Sequence, residues 1–145
     1  YRYFPGGKDQ VVGEVVAWEA ERFFRNLATA VAGAHGLAAR LEAALLFAHR
    51  AIEDHAVLQK ILDAEPERLM PKLTVESAHL LEMIKAMLLP ELSTVELAGG
   101  VDRDQAADWI ARMFLSHIGA QGSWDLTDPE QVRELVHKEF LTPVT

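Results

Sequence analysis

The chain holds 145 residues, half of them hydrophobic, with 14 Lys and Arg against 22 Asp and Glu. That apolar content excludes a disordered chain and suffices for one core, while the longest wholly apolar run, Ala43–Ala48, falls far short of the ~18 residues of a membrane span. The lack of cysteine excludes disulfides and thiolate metal sites, and a net charge of −8 excludes a nucleic-acid surface spread over most of the chain. The charge is uneven, however. Tyr1 to Asn26 carries four basic and four acidic residues, so the whole excess lies in residues 27–145.

Pro5-Gly6-Gly7 is a turn signal, and a helix is expected from Lys8 to about Val31, with Asp9 in its first turn. Val12, Val16, Ala20, Phe23, Leu27 and Val31 fall on one face of it. Val11, Val15 and Trp18 form a second apolar patch roughly opposite, which implies a further contact for the first two turns. A second helix is expected from Gly36 to Glu53, burying Leu37, Leu41, Ala44, Leu45, Ala48 and Ile52. A short one follows from Ala56 to Ala64, and Pro66 and Pro71 then break the pattern. Thr74 is a suitable N-cap for a helix reaching Leu89, where Pro90 halts or kinks it; Leu80, Met83, Ile84, Met87 and Leu88 line its apolar face.

Leu92 to Val101, containing Gly99-Gly100, is expected to be a loop. The next helix starts at Asp102 or Asp104 and runs to about Ala120. Its apolar arc, from Trp109 through Met113, Ala106, His117, Ile110 and Phe114 to Ile118, covers nearly half the wheel. Such an arc suits either the central helix of one core or a helix with a second subunit on one flank. The last helix has Asp128 as N-cap, Pro129 at its first position and Gln131 to complete a capping box; it presents Val132, Leu135, Val136 and Phe140. No useful length alternates with period two. The expected class is all-α, a bundle of about six helices.

Glu76-x-x-His79 and Glu134-x-x-His137, with Glu42 and Asp108 on two further helices, make up the inventory of a di-iron carboxylate site. Such a site needs every ligand pointing inward. The wheel instead sets Glu134 and His137 opposite Val132 and Val136, and Asp108 beside Asp104 and Arg112, so solvated helix faces account better for these charges. Ser77 with His79, and Ser116 with His117, lack a Gly-x-Ser-x-Gly elbow, and Gly99-Gly100 is no phosphate loop. Neither a catalytic centre nor a cofactor is expected. A metal-dependent helical enzyme and a helical dimerisation module without a DNA role stand as the alternatives.

Tyr1-Arg2-Tyr3-Phe4-Pro5-Gly6-Gly7-Lys8-Asp9 resembles the end of the helix-turn-helix in TetR-family transcriptional regulators, with a turn one residue longer than the common form. Leu62 to Thr74, with its Glu-Pro-Glu and Leu-Met-Pro, is similar to a segment of many actinobacterial-type members. Ala107-Asp108-Trp109-Ile110-Ala111-Arg112 and the capped Asp-Pro-Glu helix ending at Phe140-Leu141 resemble their two C-terminal helices.

The resemblance implies a DNA-binding regulator, a repressor in the commonest arrangement, working in the cytoplasm as a homodimer. Residues 1–7 would be the end of a recognition helix and its turn, 8–31 a connecting helix, and 32–145 the ligand-binding and dimerisation domain. Tyr1, Tyr3 and Lys8 would lie near DNA phosphates, with the rest of the DNA-reading domain upstream of Tyr1. The last two helices would pair with their symmetry mates in a four-helix interface, through Phe114, Ile118, Val132, Val136 and Phe140. A small hydrophobic effector would occupy a cavity among the middle helices, lined by Leu45, His49, His79, Met83, Met87, Trp109, Met113 and His117. Its binding would release operator DNA.

Overall fold

A computed structural model of the chain describes residues 7–64, 67, 78–119 and 122–145. All regular structure among them is helical: α1 (Gly7–Val31), α2 (Leu37–Glu53), α3 (Ala56–Ala64), α4 (Ala78–Leu92), α5 (Arg103–Gly119) and α6 (Pro129–Leu135), which runs on into a π-helical segment, Val136–Leu141. The chain is therefore all-α. No described helix is long and apolar enough to cross a membrane. Tyr1, Tyr3, the proline segment at 65–71 (except Glu67), Thr74 and Glu76 lie outside the described residues.

α1 turns Phe24, Leu27 and Val31 into the core, with Ala20 and Phe23 half-buried beside them. Phe23 meets Phe24 edge-on at 5.1 Å and Phe47 of α2 at 5.8 Å. α1 hands over to α2 through Gly36, whose φ of 90° is open to glycine at no steric cost. Gly36 then accepts the first bond of α2, from the Arg40 amide at 3.1 Å. At the start of α3, His55 Nε2 stands 2.9 Å from Glu19 of α1 and ties the two together.

α4 does not stop before Pro90. It continues to Leu92 with Pro90 inside its last turn, where the missing N–H forgoes one bond to the preceding turn. The ends are then closed locally: Ser93 Oγ donates to the Pro90 carbonyl at 2.6 Å and Thr94 Oγ1 to that of Glu91 at 2.8 Å. The following loop is packed rather than loose, with Val95, Leu97 and Val101 against the core and the Ala98 amide bonded to the Val144 carbonyl at 2.9 Å. Asp102 caps α5 reciprocally with Gln105, at 2.7 and 3.2 Å.

Asp128 caps α6, accepting from the Glu130 amide at 3.0 Å. The expected capping box does not close on Asp128, however. Gln131 reaches further back and accepts from the Asp125 amide at 2.9 Å. α5 packs on α4 along one flank and on α2 and the π segment elsewhere. The centre of its wide apolar arc, Ala106, Ile110, Phe114 and His117, is thus buried within the chain, while Trp109 at one edge stays exposed.

Candidate functional site

α1, α2, α4 and α5 line a half-open cavity of about 220 Å³. Leu27, Ala28 and Val31 close it from α1, while Leu37, Leu41 and Ala44 face it from α2. Ile84, Met87 and Leu88 come from α4, and Ile110 and Phe114 form the α5 wall. The lining departs from apolar character at one place, where Arg40 of α2 and Glu91 of α4 both line the space and both reach solvent. They stand at its rim. Arg40 Nε lies 3.1 Å from Glu91 Oε1, but off the N–H axis, so the contact is ionic and the Nε–H donor has no aligned acceptor.

Of the eight side chains expected around an effector, Met87 lines this cavity. Leu45 is fully enclosed in the core, and Met83 and Met113 are half-buried against it. His79 is exposed. His49 is half-buried near Asp125, whose carboxyl is held below the usual range first by hydrogen bonds from Thr127 and then by His49. Trp109 is 39% exposed, and its Nε1 donates to the Glu139 carbonyl at 3.2 Å.

His117 is buried against the π segment, its ring stacked on Phe140 at 5.8 Å. Its Nε2 lies 3.7 Å from Glu139 Oε2, too far for a hydrogen bond, and its buried Nδ1 has no protein partner. Burial pushes this imidazole below its ordinary range, and the Glu139 carboxylate opposes the shift without reversing it. A fold that holds His117 neutral binds fewer protons than the unfolded chain. Stability should therefore fall as pH drops below about 6.5, the ordinary histidine value, and level off once the folded-state pKa is passed. Urea midpoints at pH 7.5 and 5.5 should differ less for His117→Leu than for the parent chain. An equal difference would assign the effect to other histidines.

The side chains expected at a dimer interface are placed differently. Val132, Val136 and Phe140 are fully buried in the chain's own core, Phe114 nearly so, and Ile118 packs partly against it. A side chain with no exposed surface in one chain has none to present to a second copy, so Val132, Val136 and Phe140 offer no free face, whereas Ile118 keeps part of its surface exposed. Lys8 lies in the first turn of α1, and Trp18, from the second apolar patch, is 57% exposed with the Arg22 guanidinium 5.7 Å over its ring.

Among the described residues, the carboxylates and histidines of the di-iron inventory are not gathered either. Glu134 pairs with Lys138, Asp108 with Arg112 at 2.8 Å, and Glu42 with Arg133 at 3.4 Å, and no group of three or more candidate ligands converges among the described residues. Arg40 and Glu91, the polar pair that the cavity does present, were signalled in the sequence by charges in apolar register: each follows a buried leucine by three positions, Leu37 and Leu88. In comparisons with known proteins, no family model, curated sequence or solved structure matches this chain.

Proposed function

We propose that the chain is the sensing part of a TetR-type, DNA-binding transcriptional regulator, and that the cavity between α1, α2, α4 and α5 receives its small hydrophobic effector. The observation that carries this reading is the double duty of α1. Its first residue, Gly7, belongs to the Tyr-x-Tyr-Phe…Lys motif, and its last turn lines the cavity with Leu27, Ala28 and Val31. Those two ends are about 30 Å apart at 1.5 Å per residue. A ligand that prefers one seating of Leu27 and Val31 therefore biases the tilt of a lever whose far end adjoins the DNA-reading domain.

The reading heads of a dimer must meet half-sites ~34–36 Å apart, so a tilt that spreads them lowers operator affinity. Only a difference in ligand affinity between the two tilts can drive that release. The exposed Trp18 supports a further partner for the outer face of α1, which the upstream domain would supply. A homodimer in this reading uses the outer surfaces of α5 and α6, around Trp109, rather than the enclosed Val132, Val136 and Phe140.

The test is to express the complete reading frame that encodes this chain. A basic segment of roughly 45 residues with a helix-turn-helix pattern upstream of Tyr1 is expected, together with salt-dependent binding of double-stranded DNA by fluorescence anisotropy. A start codon immediately before Tyr1, or a complete protein with no DNA affinity, overturns the proposal.

A further inference from the structure

The cavity's rim specifies the head group of its ligand. Its walls are apolar throughout, and the polar groups it meets are one cation and one anion already in contact, Arg40 and Glu91. That contact leaves a defect. Arg40 Nε is wholly shielded from solvent, and its N–H finds no aligned acceptor in the protein. A buried donor without an acceptor is costly, so a ligand that brings an oxygen into line with it gains more than one that merely fills the space. The Nε–H edge of a guanidinium offers two parallel donors, and a carboxylate accepts both at once. A hydroxyl has a single oxygen and cannot align with both parallel donors, and an ammonium group is repelled by Arg40 itself.

Size fixes the rest. Scaled from an apolar cavity of ~150 Å³ that holds benzene, a volume near 220 Å³ takes an apolar body of about nine non-hydrogen atoms. We propose that the site binds a medium-chain or aryl monocarboxylate, its hydrocarbon body between α1, α2, α4 and α5 and its carboxylate on the Nε edge of Arg40. This deepens the effector reading above and rests on the same cavity. Glu91 then acts as a built-in competitor. It engages Arg40 in the empty site, and it turns toward solvent, which it already reaches, when the ligand arrives. The net charge of −8 disfavours anions at long range, which slows their approach but leaves the preference at the site intact.

Isothermal titration of the complete protein with octanoate, 1-octanol and octylammonium tests the inference, since the three share a chain length and differ at the head. Octanoate should bind ~10–100-fold tighter than octanol, the range of a charge-assisted hydrogen bond. Arg40→Gln should erase that margin and Glu91→Gln should widen it. Both positions are partly exposed, so both variants should fold, and circular dichroism checks that they do. Ala44→Phe, which fills the cavity, should abolish binding of all three ligands.

Equal binding of octanol and octanoate overturns the carboxylate inference but leaves an effector cavity standing. Tightest binding of octylammonium overturns it in favour of Glu91 as the head-group partner, and binding of none of the three overturns it outright. Octanoate bound with the predicted variant pattern, but with no change in DNA affinity, keeps this inference and removes the regulator reading instead.

Discussion

Phe140→Ala is expected to lower stability by about 3–5 kcal/mol, the range for removing a fully enclosed aromatic side chain. Phe140 has no exposed surface, and its ring stacks on His117 at 5.8 Å from within the π segment. The truncation therefore removes hydrocarbon from the core and also leaves His117 beside a void. The π turn makes relaxation harder. Thr142 is bonded back to the His137 carbonyl through both its amide and its hydroxyl, and the buried Val144 anchors the chain beyond it. The segment cannot readily slide inward to fill the gap. Against a total of roughly 5–15 kcal/mol for a single domain, the loss should appear as a large fall in the urea midpoint with little change in slope. A loss below ~1 kcal/mol would mean that the segment does not pack against His117 as described. Phe140 does not line the cavity, so ligand binding by the folded fraction should survive.

The helix boundaries were legible because the signals that set them are local. The Gly36 turn, the Asp102 and Asp128 caps, and the leucine stripes of α2 and α4 each act within a turn or two of the residues that show them. The π segment was not legible, for a geometric reason. At α spacing from Val132, Leu135 and Val136, position 139 falls on the buried stripe, yet Glu139 occupies it. A turn closed i→i+5 holds more residues, so each one advances less around the axis. Glu139 thereby moves toward the edge, where it is half-buried, and Phe140 takes the centre. The charge at position 139 was the available clue.

The cavity was harder to foresee, and the burial of most side chains expected at a dimer face has a related reason. A helical wheel reports which side of a helix is apolar, but not whether its neighbour belongs to the same chain. The broad arc of α5 is met by α4, α2 and the π segment, so Phe114 serves the interior. Where four helices leave a gap depends on their crossing angles and on side-chain volumes at facing positions, which no single helix encodes. Met87 was found because it lies on the stripe of α4, whereas Leu45, one position past Ala44, lies off the gap in the packed core.

Ile110→Ala is expected to cost about 2–5 kcal/mol and to enlarge the ligand that the protein accepts. Ile110 is fully buried and forms part of the α5 wall of the cavity, so its truncation extends an existing void rather than opening a new one. The neighbouring positions cannot compensate. Ala106, Ala107 and Ala111 are already small and fully buried, which holds the α5 backbone close to its partners and leaves little room to move closer. The lost volume is thus kept as space, and the cost should fall in the upper part of the range. That space adjoins the site proposed for the hydrocarbon body, so a longer carboxylate should recover part of the loss. Decanoate at 100 times its dissociation constant would restore ~2.7 kcal/mol by mass action alone. In thermal melts with excess ligand, decanoate should therefore stabilise the variant more than octanoate does, with the order reversed in the parent chain. If Ile110→Ala is destabilised as expected but neither acid raises its melting temperature, the space beside Ile110 is a packing gap and not a binding volume.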